Sequence, residues 1–527
     1  MALLALVALL SGCAADRRAV DELPQVYGHA ARPATATPQP DQDAGGLKLG
    51  VVAAQGATAD PILANERDLV SLNKLAFESL VELGDDMRPS PLLADRWSNE
   101  GGNWVFTLRS GVVFHDGQPL TAQDVLDSYN AIMAAGGQGA YFDRVQDIRE
   151  MTVVDDRTLV VACKRTGYLA LYAMTFPVIQ GQSIGTGAPM GTGPFWYISR
   201  DLDAGLRLER NPIWWKRQAS VRSVAVTRFD DARGALEAFE TGEIDTMTSR
   251  DGVASLSSRL ADRSTIEYST MSYECVVPNL GNLLLADLSV RRALMYAIDR
   301  NALASTIYLD MVQESEVPVL PGSWLYETQS AKYNHSPERA LQVLQEAGWA
   351  DSNGDGVLDR MRDNLVQDLA FSLITYDEPT TTARHEAIKR IAEQLGRVGF
   401  KVTVATMSKA NLRDALRKGS FDLALVGYNL SELPDLGFLL GSGGAGNYAG
   451  YRSDQMDGYI AAARAARTAE DLQDALSAQQ LLVVEDLPIF GLFFRSGLVI
   501  GKQPMSGLVG VRESQMLRGL EFVQPVS

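Results

Sequence analysis

Residues 104–125 read WVFTLRSGVVFHDGQPLTAQDV, and the whole chain is best read outward from them. Val105, Thr107 and Arg109 alternate with Phe106 and Leu108, the two-residue period of a strand with one buried face. Asp116-Gly117 is a turn dipeptide, because glycine accepts a positive φ and the aspartate carboxylate bonds nearby backbone N–H groups. Thr121 then suits a helix N-cap, with Asp124 three residues on, where its charge meets the positive end of the helix dipole. No side chain in the block is placed for catalysis, so it describes a scaffold.

The second half of the chain carries the clearest alternation of elements. Ser336-Pro337 opens a helix as N-cap and first residue, Ala340, Leu341, Leu344 and Ala347 share one face, and Gly348 supplies the stop. Residues 369–375 read as a strand. A helix follows with Ile388, Ile391, Leu395 and Val398 on one side, ending at Gly399. A strand over 400–405, a helix over 410–418 and a strand over 421–428 complete the pattern, which predicts a mostly parallel sheet covered by helices. The helix–glycine–strand junction at Gly419, Phe421 and Asp422 has an earlier echo at Gly242, Ile244 and Asp245. That echo suggests two lobes built on one plan.

Several segments in sequence order extend the comparison. Phe77 to Val81, Pro91 to Trp97, Gly191-Thr192-Gly193-Pro194-Phe195, Arg210-Asn211-Pro212 with Trp214-Trp215, Val290 to Arg300 and Asn447 to Tyr451 each resemble blocks of one family. Together with residues 104–125, they make the chain similar to the family 5 extracellular solute-binding proteins, the dipeptide and oligopeptide receptors of ABC importers. The resemblance implies an α/β, two-lobed periplasmic-binding-protein-like fold (type II, Venus-flytrap) with an extra subdomain in the first lobe. The corresponding layout is lobe I over 47–277 with the subdomain at about 86–200, lobe II over 278–493, and a return to lobe I over 494–527. It also implies capture of a small peptide or similar solute by hinge closure, then delivery to an ABC permease and its ATPase by a monomeric receptor. A non-peptide solute of the same receptor class (an oligosaccharide, an opine or a metal complex) and a surface sensor without transport remain open.

The N-terminus bears on compartment. Residues 2–10, ALLALVALL, precede Leu10-Ser11-Gly12-Cys13, the pattern of a lipoprotein signal peptide (1–12) with Cys13 as the lipidated residue. The run is far shorter than the ~20 residues a membrane-spanning helix needs. Residues 13–46 are rich in Ala, Pro, Asp and Gln and read as a tether without a core. The expected place is the cell envelope, anchored on the outer face of the cytoplasmic membrane. A net charge of −17 argues against nucleic acid, whose phosphates would be repelled. With Cys13 assigned to the anchor, Cys163 and Cys275 are expected to be buried free thiols.

Chemical motifs are sparse. Asp351, Asn353, Asp355 and Gly356 resemble the first half of a calcium loop, but the twelfth position is Arg362 where a bidentate carboxylate is required. A structural turn is the expectation. Gly185, Gly187, Gly191 and Gly193 lack the spacing and the following Gly-Lys of a phosphate loop. The four histidines, His29, His115, His335 and His385, show no ligand spacing, and there is no nucleophile elbow or zinc helix. No enzyme, cofactor or metal is expected.

A ligand is expected beyond the carboxyl end of the strand over 421–428, at Tyr428, Asn429, Ser431, Glu432 and Asp435. The resemblance puts an ammonium-binding aspartate at Ser431. Its absence leaves Glu432 or Asp435 as substitutes, or Glu432 as a solvated rim carboxylate. The same resemblance brings Gln55 and Gly56 to the cleft. Tyr428 and Tyr448 are expected either as flat walls or as lobe core.

Overall fold

The computed structural model describes residues 45–165, 167–250, 263–362, 365–378 and 382–524. Cys13, the leader and nearly all of the tether lie outside them.

One mixed sheet of 11 strands runs through the molecule. From one edge the order is Lys401–Met407, Ala370–Tyr376, Leu423–Asn429, Ser264–Pro278, Phe490–Gly501, Thr246–Ser249, Gly46–Val52, Ser223–Phe229, Leu206–Arg210 and Phe195–Ser199, with Val312–Glu314 also on Phe490–Gly501. Two large apolar cores flank it, beside a small third one around Leu236, Phe239 and Ile500. Of the large pair, one gathers Leu47, Leu49, Val51, Phe106, Phe195 and Val224, and the other gathers Phe371, Leu373, Ile388, Leu425, Val426 and Phe490. These are the two lobes.

Ser264–Pro278 and Phe490–Gly501 cross between them, paired antiparallel. Ser264 to Ser269 run opposite Gly501 to Ser496, and a register shift follows before Tyr273 pairs with Phe494. The anticipated boundary at 277/278 falls at the end of the first crossing strand, and 493/494 falls inside the second. A buried charge cluster ties the crossing. Glu274 on one strand lies 2.8 Å from Arg495 on the other and 2.5 Å from Arg384, while Arg495 also reaches Glu378 at 2.8 Å.

Local chemistry explains most elements. The strand Asn103–Leu108 buries Trp104, Phe106 and Leu108 and half-exposes the residues between. It belongs to a separate antiparallel sheet with Ala94–Glu100, Thr158–Cys163 and Ile148–Asp155. Thr121 N-caps Ala122–Ala134, and Asp124 accepts both its backbone N–H and its hydroxyl, at 2.9 and 2.6 Å. Helices Ala232–Thr241 and Lys409–Lys418 both end on glycines in the left-handed region, Gly242 at φ 92° and Gly419 at φ 64°. The aspartates after them act alike. Asp245 accepts the Lys48 N–H at 3.1 Å, and Asp422 accepts the Ser372 N–H at 2.8 Å, each donor on a strand of the large sheet within the same lobe.

The signature turn docks on the Gly191-Thr192-Gly193 segment through His115. Nδ1 accepts the Gly191 N–H at 3.2 Å and Nε2 faces the Gly193 carbonyl at 3.3 Å. A Cβ on Gly191 would stand 2.0 Å from the Ala76 carbonyl oxygen, so close backbone approach dictates glycine there. Cys163 and Cys275 are buried and unpaired. Asp351 accepts the backbone N–H groups of Gly354, Asp355 and Gly356, which is turn chemistry.

Candidate ligand-binding site

The strand Leu423–Asn429 delivers its loop to the boundary between the lobes. Across that boundary stand the subdomain helix Phe142–Val145, the segment after helix Arg67–Asn73, and the C-terminal residues 505–523, whose apolar side chains belong to the first lobe's core. A groove of about 1650 Å³ opens between subdomain and second lobe, more than enough for an extended small solute. Asn429, Ser431, Leu433, Asp435 and Phe438 form one wall, and Phe142, Arg144, Gln146, Lys164 and Arg165 the other. A second cavity of about 250 Å³ lies behind Lys74, Tyr141 and Glu432.

Glu432 is the centre of this boundary. It is buried, and its Oε2 lies 2.8 Å from Arg144 Nη2 while its Oε1 lies 3.6 Å from Arg512 Nε and accepts the Ser514 hydroxyl. Burial alone would raise its pKa, but Arg144, Lys74, Arg512 and the Ser514 hydroxyl outweigh that and hold it well below the usual carboxylate range. The expectation of a solvated rim carboxylate is therefore corrected: Glu432 bridges the lobes. Lys74, beside it, is half-buried, and loss of hydration with the repulsion of Arg144, Arg512 and Arg518 pushes it down to about 7 against the pull of Glu432.

Asp435 is committed as well. Arg165 of the first lobe meets it at 2.8 Å, and Arg464 of the second binds it through two contacts at 2.8 and 3.0 Å. Asn429 Oδ1 accepts from Arg250 and from the Ser272 hydroxyl, both at 3.3 Å. Ser431 accepts the Leu433 N–H at 3.1 Å and lines the groove. Tyr428 is fully buried, donates its hydroxyl to the Gly446 carbonyl at 3.0 Å and stacks on half-buried Tyr448. Of wall and core, the structure places Tyr428 in the core. Gln55 and Gly56 are exposed in the turn after Gly46–Val52, apart from the residues lining the groove and the cavity.

Sequence reasoning missed Lys74, Arg144, Arg165, Arg464 and Arg512. They come from five separate stretches with no shared motif, and only the fold assembles them.

Comparison with known proteins agrees with this fold. The family profile described as "Bacterial extracellular solute-binding proteins, family 5 Middle" matches residues 88–450. The oligopeptide-binding protein AppA of Bacillus subtilis is 22% identical, covering 72% of this chain and 74% of its own. Heme-binding protein A of Haemophilus influenzae is 24% identical over 76% and 77%. Among solved structures, a nickel ABC transporter protein of Bacillus halodurans superposes with a TM-score of 0.76 at 21% identity, covering 86% of this chain and 94% of that one. The AppA complex with a nonapeptide gives 0.61 at 20% identity, over 90% and 98%. Fold, sequence blocks and profile converge, and the chain belongs to the bacterial extracellular solute-binding proteins of family 5.

Proposed function

We propose that this protein is the extracytoplasmic receptor of an ABC importer, that its solute is a peptide, and that Cys13 carries the lipid anchor. The observation that carries the reading is the groove of about 1650 Å³ between two lobes joined by paired crossing strands. Such a joint allows hinge closure around a solute, and a groove of this size encloses an extended chain rather than an ion. Main-chain bonds within it would hold a peptide backbone while wet pockets tolerate varied side chains. The receptor acts as a monomer, docks in its closed form on a permease, and relies on a separate ATPase. Relatives named for haem and nickel support a second reading, a non-peptide solute in the same groove.

Native mass spectrometry of the protein purified without denaturation tests this. Bound masses that sequence as short peptides are the expected result. A single non-peptide mass would replace the solute and keep the receptor. For the anchor, Cys13→Ser is expected to release the protein from membranes, and unchanged membrane association would overturn that assignment.

A further inference from the structure

Lys74 follows the helix Arg67–Asn73 as its C-cap and lines the cavity of about 250 Å³ together with Tyr141 and Glu432. Arg144, Arg512 and Arg518 repel its ammonium, and Glu432 is the carboxylate that opposes them. That carboxylate is shared, because it also lies 2.8 Å from Arg144 and 3.6 Å from Arg512. The bond Lys74 Nζ makes, to Ser514 Oγ, is long at 3.4 Å. An ammonium stripped of water and set among guanidiniums gives up its proton readily, so much of Lys74 is free amine near neutral pH. A free amine at the wall of a cavity is a nucleophile.

Its neighbours define which product suits it. Arg144 is steadied by the Thr175 hydroxyl at 3.0 Å, and Arg512 donates to the Leu83 and Gly84 carbonyls at 2.8 and 3.0 Å. Arg512 is 5% exposed, yet its Nε has no hydrogen-bond partner. An iminium formed from an aldehyde would leave a cation among cations. An anion built on the nitrogen would turn the repulsion into attraction and give the spare Nε–H an acceptor. Carbon dioxide is the small electrophile that makes such an anion from an amine, and the cavity admits so small a molecule with ease.

We propose that Lys74 is a modification site for carbon dioxide: its amine forms a carbamate, held by Arg144 and by Nε of Arg512. The nitrogen lone pair makes the new N–C bond, one C=O π pair moves onto oxygen as O⁻, and an N–H proton leaves to water. Nothing is oxidised or reduced, and loss of carbon dioxide restores the amine. The three guanidiniums then face two anions, where before they faced one anion and a fourth cation. Because Lys74 sits in the first lobe and Arg144 in its subdomain, the modification links two walls of the lobe boundary. It does not depend on which solute the groove takes.

The test uses the full chain, equilibrated near neutral pH with carbon-13 bicarbonate. Carbamates are alkylated in place with a trialkyloxonium salt and mapped by peptide mass spectrometry, while carbon-13 NMR follows the same label in untreated protein. The expected result is a trapped carboxyl group on Lys74. One bound resonance should accompany it, fade under a nitrogen purge and be missing from Lys74→Arg. Arg144→Gln is expected to weaken carbon dioxide binding at Lys74 by about tenfold, the scale of a lost charge-assisted bond. Both variants are checked for folding by circular dichroism. Label found only on other amines, or a resonance that survives Lys74→Arg, would overturn the proposal. A folded Arg144→Gln protein labelled as fully as the native one would remove Arg144 from it and overturn it as stated. If cyanoborohydride fixes acetaldehyde on Lys74 while carbon dioxide leaves no label there, the amine is reactive but the carbamate is wrong.

Discussion

His115 is held neutral by geometry. With Nδ1 accepting from Gly191, the proton must sit on Nε2, facing the Gly193 carbonyl, so a second proton would break the Gly191 bond. Burial is the main force that pushes the group from 6.5 down to about 4. The unfolded chain therefore takes up a proton below pH 6.5 while the folded one does not, and stability falls as pH drops from about 6.5 towards 4. The loss is on the order of 3 kcal/mol. Denaturant melts at pH 7 and pH 4.5 should show it, and His115→Gln should flatten that part of the pH profile. At this scale the sequence was only half legible. Glu432 stood out beside the missing aspartate at Ser431, but its arginine partners lie 288 residues upstream and 80 downstream (432 − 144 and 512 − 432). Nothing local in the chain reports such a pairing, so a solvated role looked natural for a side chain the fold encloses.

Elements were more legible, because their causes are local. The N-cap at Ser336, the glycine stops at Gly242 and Gly419, and the repeated aspartate after each stop are all written in neighbouring residues. Ends were less sharp. The helix expected to reach Gly399 stops at Gly396, where the chain turns through a tighter set of bonds, and the strand expected over 421–428 is Leu423–Asn429. Frayed termini obey tertiary pairing more than composition. Asp422 ties its strand to the neighbour by accepting the Ser372 N–H at 2.8 Å and the Ser372 hydroxyl at 2.7 Å. Asp422→Ala should cost about 1–3 kcal/mol in chemical denaturation, and Asp422→Asn should recover part of it.

At the scale of the whole molecule, the family blocks made the two-lobed class readable, whereas the contacts between lobes were not. Gly167 shows why. A Cβ there would lie 2.4 Å from the Ala466 carbonyl oxygen and 2.7 Å from that of Arg464, in the other lobe, while each lobe alone has no need of glycine at that place. Gly167→Ala should therefore hold the lobes apart, with a larger radius of gyration in X-ray scattering, solute affinity lower by about tenfold and an unchanged melting temperature. The charge cluster at the crossing predicts the opposite pattern. Glu274 is wholly buried between Arg384 and Arg495, and Glu274→Ala should destabilise the fold by about 3–5 kcal/mol by removing the nearer carboxylate of two buried arginines, which then share Glu378, read as a lowered denaturation midpoint. The crossing strands carry one more consequence. Because Ser264–Pro278 and Phe490–Gly501 are stitched to each other and into both lobes, the joint is a woven ribbon rather than a slack cord. A protease would find the backbone there held in ladder bonds rather than loose, and heat would melt the two halves together in a single calorimetric peak.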